Sequence, residues 1–230
     1  MTEEEINALQ ARFSTLDTSA VSDALDSLGL YGTLNGITAR VTNQTLSGPA
    51  YTVQYRSFAR IKNTFHQAGN YIDNVPSRHI VLIDNEGRHD CTSWGSLLTE
   101  MAQIKNIAGT VVYGAIRDLS EIRARQYPLF STAINMVSGK NRVHITALQQ
   151  PIIIDTVTVH PGDWLIADDN GVIAIAANQL LDILTRAEKI SQTEKNIRQA
   201  ILSGMSLQDA RQHFRYDQPW LNEHTPTEKF

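Results

Sequence analysis

The chain lacks the features that define several large protein classes. It has one cysteine, Cys91, and so can form neither an internal disulfide nor a cysteine-based zinc cluster. No apolar run approaches the roughly 20 residues that cross a bilayer, and the acidic start Met1–Ile6 is unlike a signal peptide. We therefore expect a cytoplasmic protein without a membrane partner, in which Cys91 is a core residue rather than a nucleophile.

An excess of charge is also missing. Twenty lysines and arginines stand against 24 aspartates and glutamates, giving a net charge of −4, so the sequence shows no basic surface for a nucleic acid. Its 230 residues, 42% hydrophobic and 19% charged, are typical of a globular chain. We expect no nucleic-acid partner, an α/β core over residues 1–177, and a helical extension over 178–230 that packs on the core or on a neighbouring subunit.

Several well-known catalytic motifs do not occur. The seven histidines lack the His-Glu-x-x-His spacing of zinc hydrolases, and no Gly-x-Ser-x-Gly nucleophile elbow is present. A P-loop and a dinucleotide fingerprint are absent as well. Five acidic residues invite a metal-cluster interpretation, but each lies in or near a turn, where acids are favoured for backbone reasons: Asp84, Glu86, Asp90, Asp168 and Asp169.

Hydrophobic periodicity and turn residues predict an alternation of helices and strands. The predicted helices are Thr18–Gly29, Ile61–Tyr71, Ser96–Lys105, Asp118–Gln126 and a long one over residues 178–214 that breaks near Gly204. The predicted strands are Leu46–Tyr55, His79–Asp84, a run that begins at Gly109, and antiparallel strands between Gln150 and Ile175 with turns at Pro161-Gly162 and Asn170-Gly171.

The segment Gly109–Asp118 is the most informative, because it predicts a buried strand that ends in an arginine beside an aspartate. If the strands run parallel, the helices that begin after Gly95 and at Asp118 have their N-termini at one sheet edge. Free backbone N–H groups of Ser96–Leu98 could then hold a carboxylate. Arg117 could clamp the same anion, and Asp118 offers a hard oxygen to Mg²⁺ or Mn²⁺.

Each of these residues also has a purely structural interpretation. Asp118-Leu-Ser-Glu121 resembles a capping box, in which Asp118 caps the following helix and Glu121 reaches back. Arg117 could pair only with Glu121, and Ser96 could only cap its own helix.

A set of motifs in fixed order resembles the family of RraA-like proteins and 4-hydroxy-4-methyl-2-oxoglutarate (4-carboxy-4-hydroxy-2-oxoadipate) aldolases over nearly the whole chain. The similar segments are Ser22–Asp26 with Leu28-Gly29, Leu46–Ala50, Tyr71–Asp73, Val81–Asn85, Trp94–Leu98, Gly109–Asp118, Tyr127-Pro128, Pro161–Asp163 and Ala167–Gly171. The resemblance implies a compact α/β/β/α sandwich of the swivelling type with a C-terminal helical extension. It also implies homotrimers or hexamers with active sites between subunits.

The resemblance implies a metal-dependent, class II lyase that cleaves a 4-hydroxy-2-oxo acid to pyruvate and also decarboxylates oxaloacetate. By position, Gly95, Ser96, Leu97 and Leu98 bind the oxo-acid substrate, Arg117 binds it and acts in catalysis, and Asp118 holds Mg²⁺ or Mn²⁺. Ser96 stands where the family has an acidic residue.

Such a departure predicts metal binding or activity weaker by roughly 10- to 100-fold, unless Glu100, one helical turn later, substitutes for the missing acid. Two other functions stay open at this point. One is a non-catalytic regulator of a ribonuclease machinery, and the other is a lyase for a citrate-like polycarboxylate.

Overall fold

A computed structural model describes residues 1–57 and 69–221. The helix predicted over Ile61–Tyr71 lies largely outside the described residues, and its described end belongs to a short 3-10 helix, Asn70–Asn74. The other predicted helices and strands fall within the described ranges.

The α-helices are α1 (Glu3–Phe13), α2 (Thr18–Asp26), α3 (Ser96–Ile104), α4 (Leu119–Ala124), α5 (Leu180–Leu202) and α6 (Leu207–His213). The strands are β1 (Thr38–Ala39), β2 (Leu46–Ser57), β3 (Ile80–Asp84), β4 (Thr92–Trp94), β5 (Gly109–Ile116), β6 (Leu129–Ile134), β7 (Val143–Leu148), β8 (Ile152–Ile154), β9 (Val157–Val159), β10 (Trp164–Asp168) and β11 (Gly171–Ile175). Short 3-10 helices cover Ala177–Gln179 and Pro219–Leu221.

Nine strands form one mixed sheet within the described residues, in the order β1-β6-β5-β3-β2-β10-β11, with β4 beside β5 and β7 beside β2. Strands β2, β3, β5 and β6 run parallel, and β10 and β11 continue the sheet antiparallel. The sheet is nearly closed, because the chain just before β1 reaches its far edge: Leu34 N donates to Val172 O at 2.9 Å, and Ala174 N donates to Gly32 O at 2.8 Å. β8 and β9 form a separate hairpin.

Alternation along the strands divides the buried side chains between the two faces of this sheet. In β3, Val81 and Ile83 enter a core shared with α3 and α4, whereas Ile80 and Leu82 enter the interior of the curled sheet. In β10, Leu165 joins the same interior. The sheet interior is therefore the middle of the molecule.

A third core lies on the outer face of β10 and β11, beneath α1, α2 and α5. Trp164 is fully buried there and stacks on Phe13 with ring centroids 5.5 Å apart. The layers are helix, strand, strand and helix, which confirms the predicted α/β/β/α class. Helices α3 and α4 cover one side, and the candidate site lies at their start.

The long C-terminal helix is buried on one face as far as Ile197 and is exposed at its end. Its first half, from Leu180 to Ile190, is buried against α2 and β10, so it completes the third core. At its end Leu202 is 82% exposed, and the chain then turns at Gly204 into α6, as predicted. No helix in the described ranges combines the length and the apolar character needed to cross a membrane.

Candidate functional site

Two strand-to-helix turns meet at one edge of the sheet. Strand β4 pairs in parallel with the end of β5, with Trp94 opposite Ile116, and Arg117 N donates to Trp94 O at 3.1 Å. The turn through Gly95 and the turn through Arg117 are thereby joined. The parallel arrangement assumed from the sequence is confirmed, and the predicted residues of both turns come together.

The Asp118 carboxylate points away from the helix that it precedes. Asp118 is the N-cap residue of α4, in a left-handed conformation with φ 59° and ψ 33°, and its side chain makes no capping hydrogen bond. Its Oδ2 instead accepts hydrogen bonds from Ser96 N at 3.0 Å and from Ser96 Oγ at 3.2 Å. The interpretation in which Asp118 caps its own helix is therefore wrong.

Arg117 lies beside this carboxylate. Its Nε is 3.5 Å from Asp118 Oδ2, and its side chain is 40% exposed. Its ion pair is thus with Asp118 rather than with Glu121, contrary to the structural alternative. Its two terminal amino groups have no hydrogen-bond partner within the described ranges, so they are free to bind an anion.

Gly95 is required by space rather than by backbone conformation, since its φ of −163° is open to any residue. A Cβ at this position would lie 2.6 Å from Asp118 Oδ2 and 3.3 Å from Arg117 Cγ and Nε. Any side chain would therefore displace the carboxylate. The glycine lets the backbone of the first turn come into contact with the Arg117-Asp118 pair.

The first turn of α3 offers two free donors. Its first helical hydrogen bond runs from Thr99 N to Gly95 O at 3.1 Å, and Ser96 N is engaged by Asp118. Leu97 N and Leu98 N have no acceptor among the described residues. The amides predicted to hold a carboxylate are therefore reduced from three to two, beside a guanidinium.

The neighbouring helix packing was not predicted from the sequence. Trp94 Nε1 donates to Thr99 Oγ1 at 2.8 Å, and Thr99 Oγ1 donates to Gly95 O at 3.1 Å. These contacts fix the turn around Gly95 from the core side. A tryptophan and a threonine five residues apart give no periodic signal, so only the fold reveals this pair.

The other acidic candidates are engaged elsewhere. Glu100 Oε2 lies 3.3 Å from a terminal nitrogen of Arg125, so this carboxylate, proposed above to compensate for Ser96, has its own partner. Asp84 pairs with Arg56 at 2.7 Å. The remaining turn acids also have partners: Glu86 lies 3.9 Å from Arg56, Asp90 pairs with Arg88, Asp168 accepts from Thr18 and Asp169 accepts from the backbone of Asn43.

Cys91 is fully buried in the core shared with α3 and α4, and burial raises the pKa of its thiol. A thiol held in its neutral form is a poor nucleophile. The prediction that Cys91 is a core residue is confirmed.

The residues present fit a divalent cation that keeps most of its waters. Asp118 Oδ1 accepts no hydrogen bond within the described ranges, and its side chain is 32% exposed. No group of three or more His, Cys, Asp or Glu residues in the described part of the chain is placed to hold a metal. Mg²⁺ commonly binds proteins through only one or two carboxylates, so a single free oxygen at Asp118 is a suitable donor.

Comparison with known proteins supports the resemblance seen in the motifs. The model of the RraA-like family, described as Aldolase/RraA, matches residues 18–174. The chain belongs to the RraA-like family. The matched region contains Gly95–Leu98, Arg117 and Asp118, so both turns of the candidate site lie inside the shared domain.

Individual relatives are similar over most of this chain. It is 46% identical over 205 residues to protein DlpA of Legionella pneumophila, covering 89% of this chain but 33% of DlpA, so it spans about a third of that relative. It is 31% identical over 208 residues to a Halalkalibacterium halodurans protein named "Putative 4-hydroxy-4-methyl-2-oxoglutarate aldolase", covering 88% of this chain and 92% of the relative.

A solved structure shares the fold. The crystal structure of an uncharacterized protein from Pseudomonas syringae pv. tomato str. DC3000 superposes with a TM-score of 0.84 at 39% identity, covering 90% of this chain and 94% of that one. The predicted family and fold class are thereby confirmed together.

Proposed function

We propose that this RraA-like protein is a divalent-metal-dependent lyase that cleaves a 4-hydroxy-2-oxo acid by a retro-aldol reaction and releases pyruvate. The observation that carries the proposal is the Asp118 carboxylate, which forgoes its own helix and lies with Arg117 at the N-terminus of α3. The names of relatives such as the H. halodurans protein support an aldolase.

Asp118 would hold Mg²⁺ or Mn²⁺ through Oδ1, and water would fill the remaining positions. When bound, the cation supplies Lewis-acid polarisation of the 2-oxo group. The chain itself then has two tasks, which are to anchor the substrate carboxylate and to stabilise the charge that develops as the C–C bond breaks.

Arg117 stabilises the charge that develops as the C–C bond breaks. As the C4 hydroxyl gives its proton to water and the bond between C3 and C4 breaks, negative charge accumulates on the 2-oxo oxygen, to which the free terminal nitrogens of Arg117 can donate. C3 then takes up a proton from water to give pyruvate. Leu97 N and Leu98 N anchor the substrate carboxylate, because amides at a helix N-terminus attract an anion. Decarboxylation of oxaloacetate develops charge on the same oxygen, so we propose that the same residues support it.

We further propose that the active unit is a homotrimer or a dimer of trimers. On α3, Leu97 is 79% exposed and Ile104 is 71% exposed, and a spacing of seven residues places them on one helix face. Apolar side chains this exposed beside a site are suited to contact with a second copy. Light scattering on the purified chain measures the subunit number, and a monomer would contradict this part of the proposal.

A pyruvate-coupled assay with several 4-hydroxy-2-oxo acids and with oxaloacetate, with Mg²⁺ or Mn²⁺ and with chelator, tests the proposed reaction. We expect pyruvate release only with metal. Absence of turnover on all substrates would contradict the proposal and favour a non-catalytic binding protein.

Asp118→Asn is the matched variant, because asparagine tolerates the left-handed conformation and still accepts from Ser96. It removes the charge that the cation requires. We therefore expect a weaker Mn²⁺ titration at unchanged thermal stability, whereas an unchanged titration would leave Asp118 without a role in metal binding.

A further inference from the structure

We propose that Ser96 is a positioning residue, which holds the Asp118 carboxylate by Oδ2 so that Oδ1 is kept ready for the cation. The inference rests on the proposed function, because it assigns the metal to Asp118. It gives Ser96 a role in the protein without substrate, distinct from the substrate contact that the sequence predicted for it.

Three groups converge on a single oxygen of Asp118. Ser96 N lies at 3.0 Å, Ser96 Oγ at 3.2 Å and Arg117 Nε at 3.5 Å from Oδ2. Oδ1 has no hydrogen-bond partner within the described ranges. Because both Ser96 donors bind Oδ2, they fix the position of that oxygen and so restrain the side-chain torsions that place Oδ1.

The backbone on both sides of this contact is fixed. Arg117 N donates to Trp94 O, and the N-cap geometry of Asp118 is set by the start of α4. Gly95 makes room for the carboxylate in this position, since a Cβ there would lie only 2.6 Å from Oδ2. The side-chain torsions of Asp118 are then the remaining freedom, and the Ser96 hydroxyl is placed to restrict them.

A hydroxyl at position 96 acts differently from a carboxylate. Two carboxylates within hydrogen-bond distance repel each other unless a proton or a cation lies between them. Serine instead donates to Asp118, so the carboxylate can be oriented before a cation arrives. The residue that departs from the family pattern therefore preorganises the metal ligand rather than leaving a gap beside it.

The test compares Mn²⁺ binding by the wild type, Ser96→Ala and Ser96→Thr, from the electron paramagnetic resonance signal of free Mn²⁺, with no substrate present. Alanine at position 96 keeps the backbone donor and removes the hydroxyl, whereas threonine keeps both. We expect the Kd of Ser96→Ala for Mn²⁺ to be about tenfold higher than that of the wild type, in the range seen when a residue that supports a metal ligand is removed. We expect Ser96→Thr to remain within about threefold of wild type.

Ser14→Ala is the matched control, because the Ser14 hydroxyl lies on the surface and, among the described residues, bonds only to Ala11 O at 2.7 Å. It should bind Mn²⁺ as the wild type does. In the pyruvate assay, Ser96→Ala should lose activity at low Mn²⁺ and regain its kcat at saturating Mn²⁺, with an unchanged KM for the oxo acid. A general structural defect would not be rescued by metal.

The inference is overturned if Ser96→Ala binds Mn²⁺ within twofold of wild type, if Ser96→Thr is as weak as alanine, or if the wild type binds no Mn²⁺. The proposed reaction is tested by a separate result. If no substrate is cleaved but Ser96→Ala still weakens Mn²⁺ binding tenfold, the lyase assignment fails and the positioning role of Ser96 is supported.

Discussion

The starts of α2 and α4 present the same residue in the same cap position with opposite outcomes. Asp17 precedes α2 in an extended conformation, and its carboxylate accepts a hydrogen bond from Ala20 N at 2.8 Å, within its own helix. Asp118 precedes α4 in a left-handed conformation, and its carboxylate accepts from Ser96, 22 residues earlier in the chain. One aspartate stabilises its helix and the other gives up that contact.

A side-chain cap contributes about 1 kcal/mol to a helix, and a left-handed aspartate adds a local backbone cost. The start of α4 therefore forgoes stability that the start of α2 retains. What it gains is a carboxylate held beside Arg117 with one free oxygen. The difference between the two aspartates is what a ligand-binding function predicts, and the following variants test it.

The largest expected effect is that of Arg117→Ala on pyruvate release. Removing a donor from an oxygen that develops charge typically costs about 10²- to 10³-fold in kcat. We expect a loss of this size at saturating metal, with little change in the free energy of unfolding because the side chain is half exposed. Steady-state kinetics and a thermal melt measure the two quantities.

Arg125→Ala is the control for this variant, since Arg125 lies just beyond α4 and pairs with Glu100 on the surface. Arg125→Ala should retain turnover within about twofold of wild type, because an exposed ion pair contributes little to the stability of the fold. Equal losses in the two variants would remove Arg117 from catalysis.

Gly95→Ala tests whether the redirected aspartate needs the open backbone beside it. The new Cβ would lie 2.6 Å from Asp118 Oδ2 and displace the carboxylate from Ser96. We expect Mn²⁺ affinity to fall by roughly 10- to 100-fold. Calorimetric titration with Mn²⁺ measures the change.

Gly29→Ala separates this effect from the general cost of replacing a glycine. Gly29 has a φ of +67°, and no atom of the described part of the chain lies within 4 Å of its added Cβ. This variant should lose stability through backbone strain and keep the Mn²⁺ affinity. If Gly95→Ala also kept its affinity, the close approach at Gly95 would be irrelevant to the metal.

The contrast between the two aspartates also shows which contacts a local sequence pattern can predict. Asp118 precedes a predicted helix and has the pattern of a capping residue, and Asp17, which holds the same position before α2, does cap its helix. At Asp118 a tertiary partner overrides the capping pattern. The override depends on β4 lying parallel to β5, which brings Ser96 to Asp118, and no local pattern encodes that pairing.

Elements with strong local signals were predicted well. The antiparallel pair of β10 and β11, the break at Gly204 and the buried run of β3 follow from the hydrophobic pattern and the turn residues. The candidate residues of the site were named from the sequence, but their contacts were not. Ser96 is the clearest case, because its side chain and its amide serve Asp118 rather than an open anion site.

Asp17→Ala and Asp17→Asn test the structural member of the comparison. Alanine removes the cap of α2, so we expect the free energy of unfolding to fall by about 1 kcal/mol, while asparagine, an equally good cap, should change it little. Denaturant melts measure both. Neither change should affect Mn²⁺ binding, and an effect on metal affinity would break the distinction between the two aspartates.

The smallest expected effect concerns the surroundings of Asp17. Burial and then the nearby carboxylates of Asp17 and Asp23 raise the pKa of Glu194 on α5. A raised pKa means that the folded state binds the proton more tightly, so this contribution to stability is complete below the unfolded pKa of about 4.3 and is lost as the pH rises through the folded pKa. At neutral pH the charged form therefore opposes the packing of α5 on α2.

We expect Glu194→Gln to be more stable than wild type at pH 7 by up to about 0.5 kcal/mol, since the group is only partly buried and is screened by solvent. The difference should shrink towards pH 4, where the wild-type carboxyl gains its proton. Glu188→Gln on the same helix is the control of opposite sign, because Glu188 forms an ion pair with Arg12 at 2.8 Å. Urea melts at pH 4 and pH 7 distinguish them, and a Glu194→Gln variant less stable than wild type at pH 7 would show that the charge at this position is favourable.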